Sequence, residues 1–176
     1  MLIRWSRGGP VAALAIATSL CGLPALADDP ELAADLHWAS TYTEIQLGEG
    51  RAARSGILRG LLFDIENGPL HLSSVVCPFV ENSDGVDRLV SMSAHCALTA
   101  AEGDQAYLSF SCVGDDNTSG CDGYWRFIGG SGGFATIAGD GDMIISTLVV
   151  NPDGVSAVGT AYFTGLYRGL RGRDIR

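Results

Sequence analysis

The sequence contains no lysine, so all 11 basic residues are arginines, and catalysis through a lysine Schiff base is excluded. It also lacks a C-x-x-C pair, which argues against a zinc site built from cysteines. No apolar run reaches the roughly 20 residues that a membrane-spanning helix needs. The 20 acidic residues give a formal net charge of −9, so nucleic acid is a poor partner.

The remaining composition is that of a compact domain. Of 176 residues, 47% are hydrophobic, 18% are charged and 24 are glycine. Disordered, collagen-like and coiled-coil chains have different compositions. The length suffices for one sizeable core but not for two full domains, so we expect a single domain.

The first 27 residues have the features of a removable export signal. Arg4 and Arg7 provide a basic start, and residues 11–20 form a short apolar run. Small residues in Ala25–Ala27 occupy the positions that a signal peptidase reads. Lipid modification of Cys21 is the alternative, but the bulky residue before it disfavours that processing. We therefore expect export to the periplasm or the medium, with no integral membrane anchor.

Removal of the signal leaves four cysteines in an oxidising compartment, which favours two disulfides. Four cysteines allow three pairings. Cys112 and Cys121 bracket a turn-rich segment. Cys77 and Cys96 lie on two strands that we expect to be neighbours. We favour these two pairs, and we expect neither a metal site nor a cofactor.

Short alternating apolar runs, separated by clusters of Gly, Asn and Asp, indicate antiparallel strands joined by turns. Eight strands are predicted, at 37–47, 55–66, 71–80, 87–99, 104–113, 121–128, 141–150 and 155–166. Eight strands with short links close most economically into an up-and-down barrel, because closure removes exposed edges. A two-sheet β-sandwich is the alternative. We expect an all-β barrel domain over 37–167, a mobile acidic segment over 28–36 and a basic tail over 168–176.

Two stretches carry a resemblance to a known superfamily: residues 94–104, AHCALTAAEGD, and residues 125–139, WRFIGGSGGFATIAG. They resemble bacterial members of the allene oxide cyclase and dirigent barrel-like superfamily. The second stretch is similar to that group's Gly-Gly-Thr-Gly-x-Phe-x-x-Ile-x-Gly pattern, with Ser131 in the Thr position. The resemblance implies an eight-stranded barrel. Members include cyclases and dirigent proteins that shape small molecules in an apolar cavity, whereas many bacterial exported relatives have no assigned activity.

The glycine-rich segment also matches the spacing of a nucleophile elbow and of a dinucleotide-binding loop, but both need a strand that feeds a full helix. We interpret the segment as a tight link, with Phe134 and Ile137 filling one barrel end. Asp115 and Asn117 begin a calcium-loop pattern. Its twelfth position is Arg126 instead of a glutamate, which favours a solvated hairpin tip.

Side-chain alternation along the strands suggests one candidate site. His95 shares a small polar face with serines on the fourth predicted strand. If such a face points inward, three orienting side chains and three aromatic wall residues form an otherwise apolar pocket: His95, Tyr107, Arg126, Trp38, Tyr124 and Trp125. The favoured interpretation places these side chains in structural or surface positions.

Glu44 is the best candidate for a buried carboxylate, because it shares a face of the first strand with Tyr42 and Gln46. An outward polar face is the favoured interpretation. No pair of carboxylates has a spacing that marks general acid–base work, and no histidine lies near serine or cysteine in a nucleophile motif. Catalytic residues are therefore not assigned.

Three functions fit these features. The leading hypothesis is an exported barrel that binds a small, largely apolar molecule. A cyclase- or isomerase-like enzyme would use the same cavity. A non-enzymatic envelope protein would present its acidic surface and its arginine tail to a partner, and a homo-oligomer formed through the outer walls is a further expectation. The tail arginines are Arg168, Arg171, Arg173 and Arg176.

Overall fold

The computed structural model describes residues 31–85, 89–115 and 119–169. The export signal, the lipidation alternative and the tail arginines after residue 169 lie outside the described residues, as does Asn117 of the calcium-loop pattern. Across the described ranges, no helix has both the length and the apolar character needed to cross a membrane.

Eight antiparallel strands form the fold: β1 (Glu31–Gly48), β2 (Arg51–Asp64), β3 (Ser73–Asp84), β4 (Leu89–Thr99), β5 (Gln105–Asp115), β6 (Gly120–Gly130), β7 (Ala138–Val150) and β8 (Ser156–Arg168). Each strand pairs with the next one in sequence, and β8 pairs with β1. The sheet is therefore a closed barrel. The predicted eight-stranded up-and-down barrel is confirmed, and the sandwich alternative is not.

The first strand begins at Glu31 instead of residue 37, so the expected mobile segment is wrong for the part that the structure describes. Leu32 and Leu36 point into the core, and each is 2% exposed. Strand β8 provides the backbone partners, with Leu166 opposite Glu31. This pairing is distant in sequence, and the acidic composition of the segment does not reveal it.

Both favoured disulfides are present. Cys77–Cys96 joins β3 to β4, and Cys112–Cys121 joins β5 to β6. All four cysteines are buried and belong to the hydrophobic core. The two bonds therefore link adjacent strands on the interior side of the sheet, and their presence fits an exported protein.

The interior face of β4 is the face that carries its larger apolar side chains and its cysteine. On β4, Met92, Ala94 and Cys96 are buried, whereas Ser93 and His95 are exposed. Successive side chains alternate between the two faces of a strand. The small polar face of β4 is thus the outer wall of the barrel.

The glycine-rich link closes one end of the barrel. Phe134 and Ile137 are 4% and 5% exposed and pack in the core, as the sequence interpretation expects. The Gly133 N–H donates to the Asp104 carboxylate at 2.9 Å. Gly132 has a φ of +58°, and a Cβ atom there would lie 1.9 Å from Asp104 Oδ1. Glycine is therefore required where the link contacts the β4–β5 connection.

A buried carboxyl group, Asp64, lies at this closed end, where β2 ends. Asp64 is 1% exposed, and its Oδ1 accepts the Glu66 N–H at 3.1 Å. Oδ2 has no hydrogen-bond partner among the described residues. Burial raises the pKa of Asp64, against the opposing effect of the Glu66 and Gly68 N–H groups. Burial, with a smaller effect of the Asp64 charge, also raises the pKa of Tyr167.

We predict that loss of either disulfide lowers the free energy of unfolding by about 3 kcal/mol, because each bond restricts the unfolded chain. The linked cysteines are 19 residues apart in one bond and 9 in the other. The measurement is urea denaturation of the paired alanine variants C77A/C96A and C112A/C121A. Reduced wild-type protein, which keeps its side-chain volume, is the control. Unchanged unfolding midpoints would show that the bonds do not stabilise the barrel.

We also predict that Asp64 makes the barrel less stable as the pH rises. Its pKa is raised in the folded state, so its contribution to stability is full below the ordinary aspartate pKa of about 3.9 and is lost as the pH passes the folded value. Urea denaturation across this window should show a smaller loss of stability for Asp64→Asn than for wild type. The exposed Asp122→Asn variant is the matched control. Identical pH profiles for all three proteins would contradict the prediction.

Candidate functional site

The two ends of the barrel differ in how their interior is filled. The β2–β3, β4–β5 and β6–β7 connections lie at the closed end, where Leu70, Phe134 and Ile137 pack into the core. The β1–β2 and β7–β8 turns lie at the opposite end, which we call the mouth, together with the last residues of β3 and β5 and the first residues of β4 and β6. Inside the mouth the barrel contains a cavity of about 270 Å³. This volume is close to the lower end of the range for ligand pockets, roughly 300 Å³.

The cavity wall combines apolar and aromatic side chains with a substantial number of polar and charged ones. Its apolar and aromatic members are Trp38, Tyr42, Leu58, Phe79, Val90, Met92, Cys121, Ile145, Val150 and Ala157. Its polar and charged side chains are Ser40, Arg54, Glu81, Asp115, Ser119 and Thr147. A concave wall that combines apolar surface with several polar groups is a feature of small-molecule sites.

Trp38 occupies a space that Gly159 leaves open. It lies opposite Gly60 on β2 and Gly159 on β8. A Cβ atom on Gly159 would be 2.4 Å from Trp38 Cζ2, so the indole covers the backbone of β8 directly. Trp38 is 8% exposed, and its indole N–H has no hydrogen-bond acceptor among the described residues.

A row of charged side chains lies at the mouth on three consecutive strands. Arg54 is directly opposite Glu44 on β1 and Glu81 on β3. Arg54 Nε donates to Glu44 Oε2 at 2.6 Å, and Nη1 donates to Glu81 Oε1 at 2.8 Å. The guanidinium carbon also lies 5.4 Å from the centre of the Tyr42 ring, a distance at which a cation interacts with an aromatic face.

The ion pairs at the mouth shift the pKa values of Glu44 and Arg54. The hydrogen bond from Arg54 is the largest cause of the lowered pKa of Glu44, and Gln46 also donates to this carboxylate. Burial acts to lower the pKa of Arg54, but the hydrogen bonds and charges of Glu44 and Glu81 outweigh burial and raise it. Two carboxylates therefore share one guanidinium, and this row carries a net negative charge.

The structure divides the six side chains of the sequence-derived site between the two faces of the sheet. Trp38 lines the cavity, and Trp125 is fully buried deeper in the core. The Trp125 N–H donates to the Thr164 carbonyl at 3.1 Å, and its ring packs edge-on against Phe127 and Phe163. Two of the six thus face the interior.

The other four side chains lie on the outer wall: His95, Tyr107, Tyr124 and Arg126. Ser109 is directly opposite both His95 and Arg126, so these two are separated by one strand on the outer surface. The expectation that His95, Tyr107 and Arg126 converge inside the barrel is wrong. The side chains on the polar face of β4 and β5 are small enough to line a pocket. However, the apolar side chains on the opposite face of these two strands are the ones that fill the core.

Tyr42 lines the cavity, so the favoured outward position of its face is wrong for this side chain. Glu44 bonds Arg54 at the mouth but remains exposed, so it is not a buried carboxylate. Sequence reasoning missed Arg54, Phe79 and Glu81. One signal could have found the last two, because Phe79 and Glu81 continue the alternation that begins at the buried Cys77.

The described ranges contain no group of three or more His, Cys, Asp or Glu side chains placed to hold a metal ion. The arrangement at the mouth is suited instead to non-covalent contacts. Apolar walls exclude water, a guanidinium and hydroxyl groups can form hydrogen bonds, and the carboxylates set the sign of the local charge.

No family model matches the sequence, and no curated protein matches it. The structure is similar to a solved structure of a pterocarpan synthase dirigent protein, with a TM-score of 0.55. The two chains are 10% identical, and the match covers 91% of this chain and 100% of the other. At that identity the likeness shows the fold, which is a dirigent-like β-barrel.

Proposed function

We propose that this chain is an exported bacterial member of the allene oxide cyclase and dirigent barrel-like superfamily. We further propose that it binds a small, largely apolar molecule in the cavity at the mouth of its barrel. The unfilled interior of the mouth is the observation that carries this proposal. Eight-stranded barrels enclose a space that holds side chains or one small ligand. Here the side chains fill the closed end and leave the mouth unfilled.

The chemistry of the wall supports an apolar occupant. Trp38, Leu58 and Phe79 are each at most 8% exposed and contribute apolar surface around the cavity. Removal of apolar surface from water drives such association, by roughly 25 cal/mol for each Å² buried. The charged row lies at the entrance, where a polar end of the same molecule would reach it.

Two further observations support export and the superfamily. The basic start, apolar run and Ala25–Ala27 site have the order of a secretory signal. The Cys77–Cys96 and Cys112–Cys121 disulfides suit an oxidising compartment. The structural neighbour is named a dirigent protein and a pterocarpan synthase, so a barrel of this shape is associated with a small organic product in that protein.

The test is a substitution that places a larger side chain inside the cavity. Ala157 lines the cavity and is 5% exposed, whereas the next residue, Val158, is on the outer wall and 37% exposed. We expect 2-isopropylnaphthalene to bind wild type with a dissociation constant on the order of 10–100 μM, typical of a compact apolar ligand of this size. Ala157→Phe should weaken binding by about tenfold or more, and Val158→Phe should leave it unchanged. Equilibrium dialysis measures all three proteins.

Failure of wild type to bind this compound, or equal binding by both phenylalanine variants, would contradict a site inside the barrel. Native mass spectrometry of protein purified from its own compartment provides a second readout. A retained non-covalent adduct that is absent from Ala157→Phe and present in Val158→Phe would identify the natural occupant by its mass.

A further inference from the structure

The described lining of the cavity has one basic side chain, Arg54, and that side chain is already paired. Arg54 donates from Nε to Glu44 and from Nη1 to Glu81. Two carboxylates therefore share one guanidinium, and the row keeps a negative charge that no described cation balances. Low-dielectric walls strengthen the field of such a charge, so the row attracts cations to the mouth and repels anions.

Glu81 is the carboxylate that is best placed to meet a ligand. It lines the cavity, and its side chain is 18% exposed. Among the described residues, only its Oε1 atom accepts a hydrogen bond, so Oε2 keeps the capacity to accept another. Asp115, the other acidic side chain in the described lining, already has an interaction of its own. We therefore expect a donor group of the ligand at Glu81.

Aromatic side chains in the same wall also favour a positive charge. Trp38, Tyr42 and Phe79 line the cavity. The faces of aromatic rings carry partial negative charge, so a cation within about 6 Å of a ring centre is attracted. The protein already makes one such contact, because the Arg54 guanidinium carbon lies 5.4 Å from the centre of the Tyr42 ring. A ligand cation beside this wall would gain the same type of contact.

The order of residues along β3 separates an apolar contact from a charged one. Phe79 and Glu81 are two residues apart on the same face of the strand, about 7 Å from each other along it. Phe79 is the deeper of the two, because β3 runs from the closed end to the mouth. A compact molecule can therefore contact Phe79 with its apolar body and Glu81 with a polar end.

From these observations we infer that the ligand is a largely apolar molecule with one ammonium group, which pairs with Glu81 at the mouth. This inference rests on the proposed function and adds the chemical class of the ligand. The apolar body lies in the cavity, and the ammonium group lies beside the negative row. A carboxylate in the same position would face Glu81 and is disfavoured by repulsion.

The test compares three naphthalenes of similar size and different charge. They are 2-(aminomethyl)naphthalene, a cation at neutral pH, 2-(hydroxymethyl)naphthalene, which is uncharged, and 2-naphthoate, an anion. Wild type should bind the cation roughly tenfold more tightly than the alcohol, and the anion more weakly than both. Raising NaCl from about 20 mM to about 500 mM should reduce the preference for the cation at least threefold, because salt screens charges. Equilibrium dialysis measures binding.

Two variants assign the preference to Glu81. Glu81→Gln keeps the shape of the side chain and removes its charge, so it should reduce the preference for the cation over the alcohol by about fivefold. It should also tighten binding of 2-naphthoate, because Arg54 then has one carboxylate partner instead of two. Glu66→Gln removes an exposed carboxylate at the closed end and should leave all three affinities unchanged. Thermal unfolding verifies that each variant folds.

The outcomes separate the two proposals. If neither 2-isopropylnaphthalene nor any of the three compounds binds wild type, the proposed function fails. If they bind but the cation binds no more tightly than the alcohol or the anion, the proposed function stands and the ammonium inference is overturned. A preference for the cation that does not change with salt also overturns it. A preference that persists in Glu81→Gln, or falls equally in Glu66→Gln, overturns the role of Glu81.

Discussion

Pairing of β1 with β8 is the constraint on which the rest of the structure depends. Glu31–Thr41 pairs with Ser156–Leu166, at opposite ends of the described chain. Without this pairing both strands would be open edges, and the sheet would have no enclosed side. Closure decides which side chains face inward, because every strand must place one alternating set inside. The disulfides, the two buried indoles and the cavity all lie on the side that closure encloses.

A large side chain inside a small barrel needs a position where a neighbouring residue has little or no side chain. Trp38 lies across Gly159, and the Trp125 ring lies across Gly165, where a Cβ atom would be 2.9 Å from Cζ2. Gly159 is on a strand next to that of Trp38, and Gly165 is two strands from Trp125, so in both cases a missing side chain leaves room for the indole ring against the sheet. Phe134 then completes the packing at the closed end, where the glycine-rich link enters. No equivalent link covers the interior at the mouth in the described residues, and the cavity lies there.

Two features of the mouth act together in the proposed function. The aromatic and aliphatic side chains of the wall favour an apolar ligand, and the Glu44–Arg54–Glu81 row places charged groups at the rim of the cavity. Partly exposed ion pairs contribute little to stability, so we interpret the row chiefly as an influence on what enters. In the proposed function the apolar part of the wall favours binding, and the rim charges influence which polar group the ligand carries.

Much of the fold was predictable from the sequence because local chemistry determines it. Alternating apolar residues and glycine- or asparagine-rich turns indicate strands and reversals, and both disulfides followed from cysteine spacing and expected strand neighbours. The start of β1 was not predictable in this way, because its first residues are held by β8 through a long-range pairing.

The candidate site depended on tertiary structure for a further reason. Alternation shows that His95 and Cys96 face opposite ways, but it does not say which way is inward. A wrong choice of the inward set exchanges the cavity lining for the outer wall. The candidate site placed His95, Tyr107 and Arg126 inside the barrel for this reason, whereas the structure places them on the outer wall. The sequence by itself determined the strands, the turns and the cysteine pairs, since these depend on near neighbours. Only closure of the barrel decided that Arg54, Phe79 and Glu81 meet Trp38 around one cavity, because these residues lie on three different strands whose inner faces are defined only once the sheet is closed.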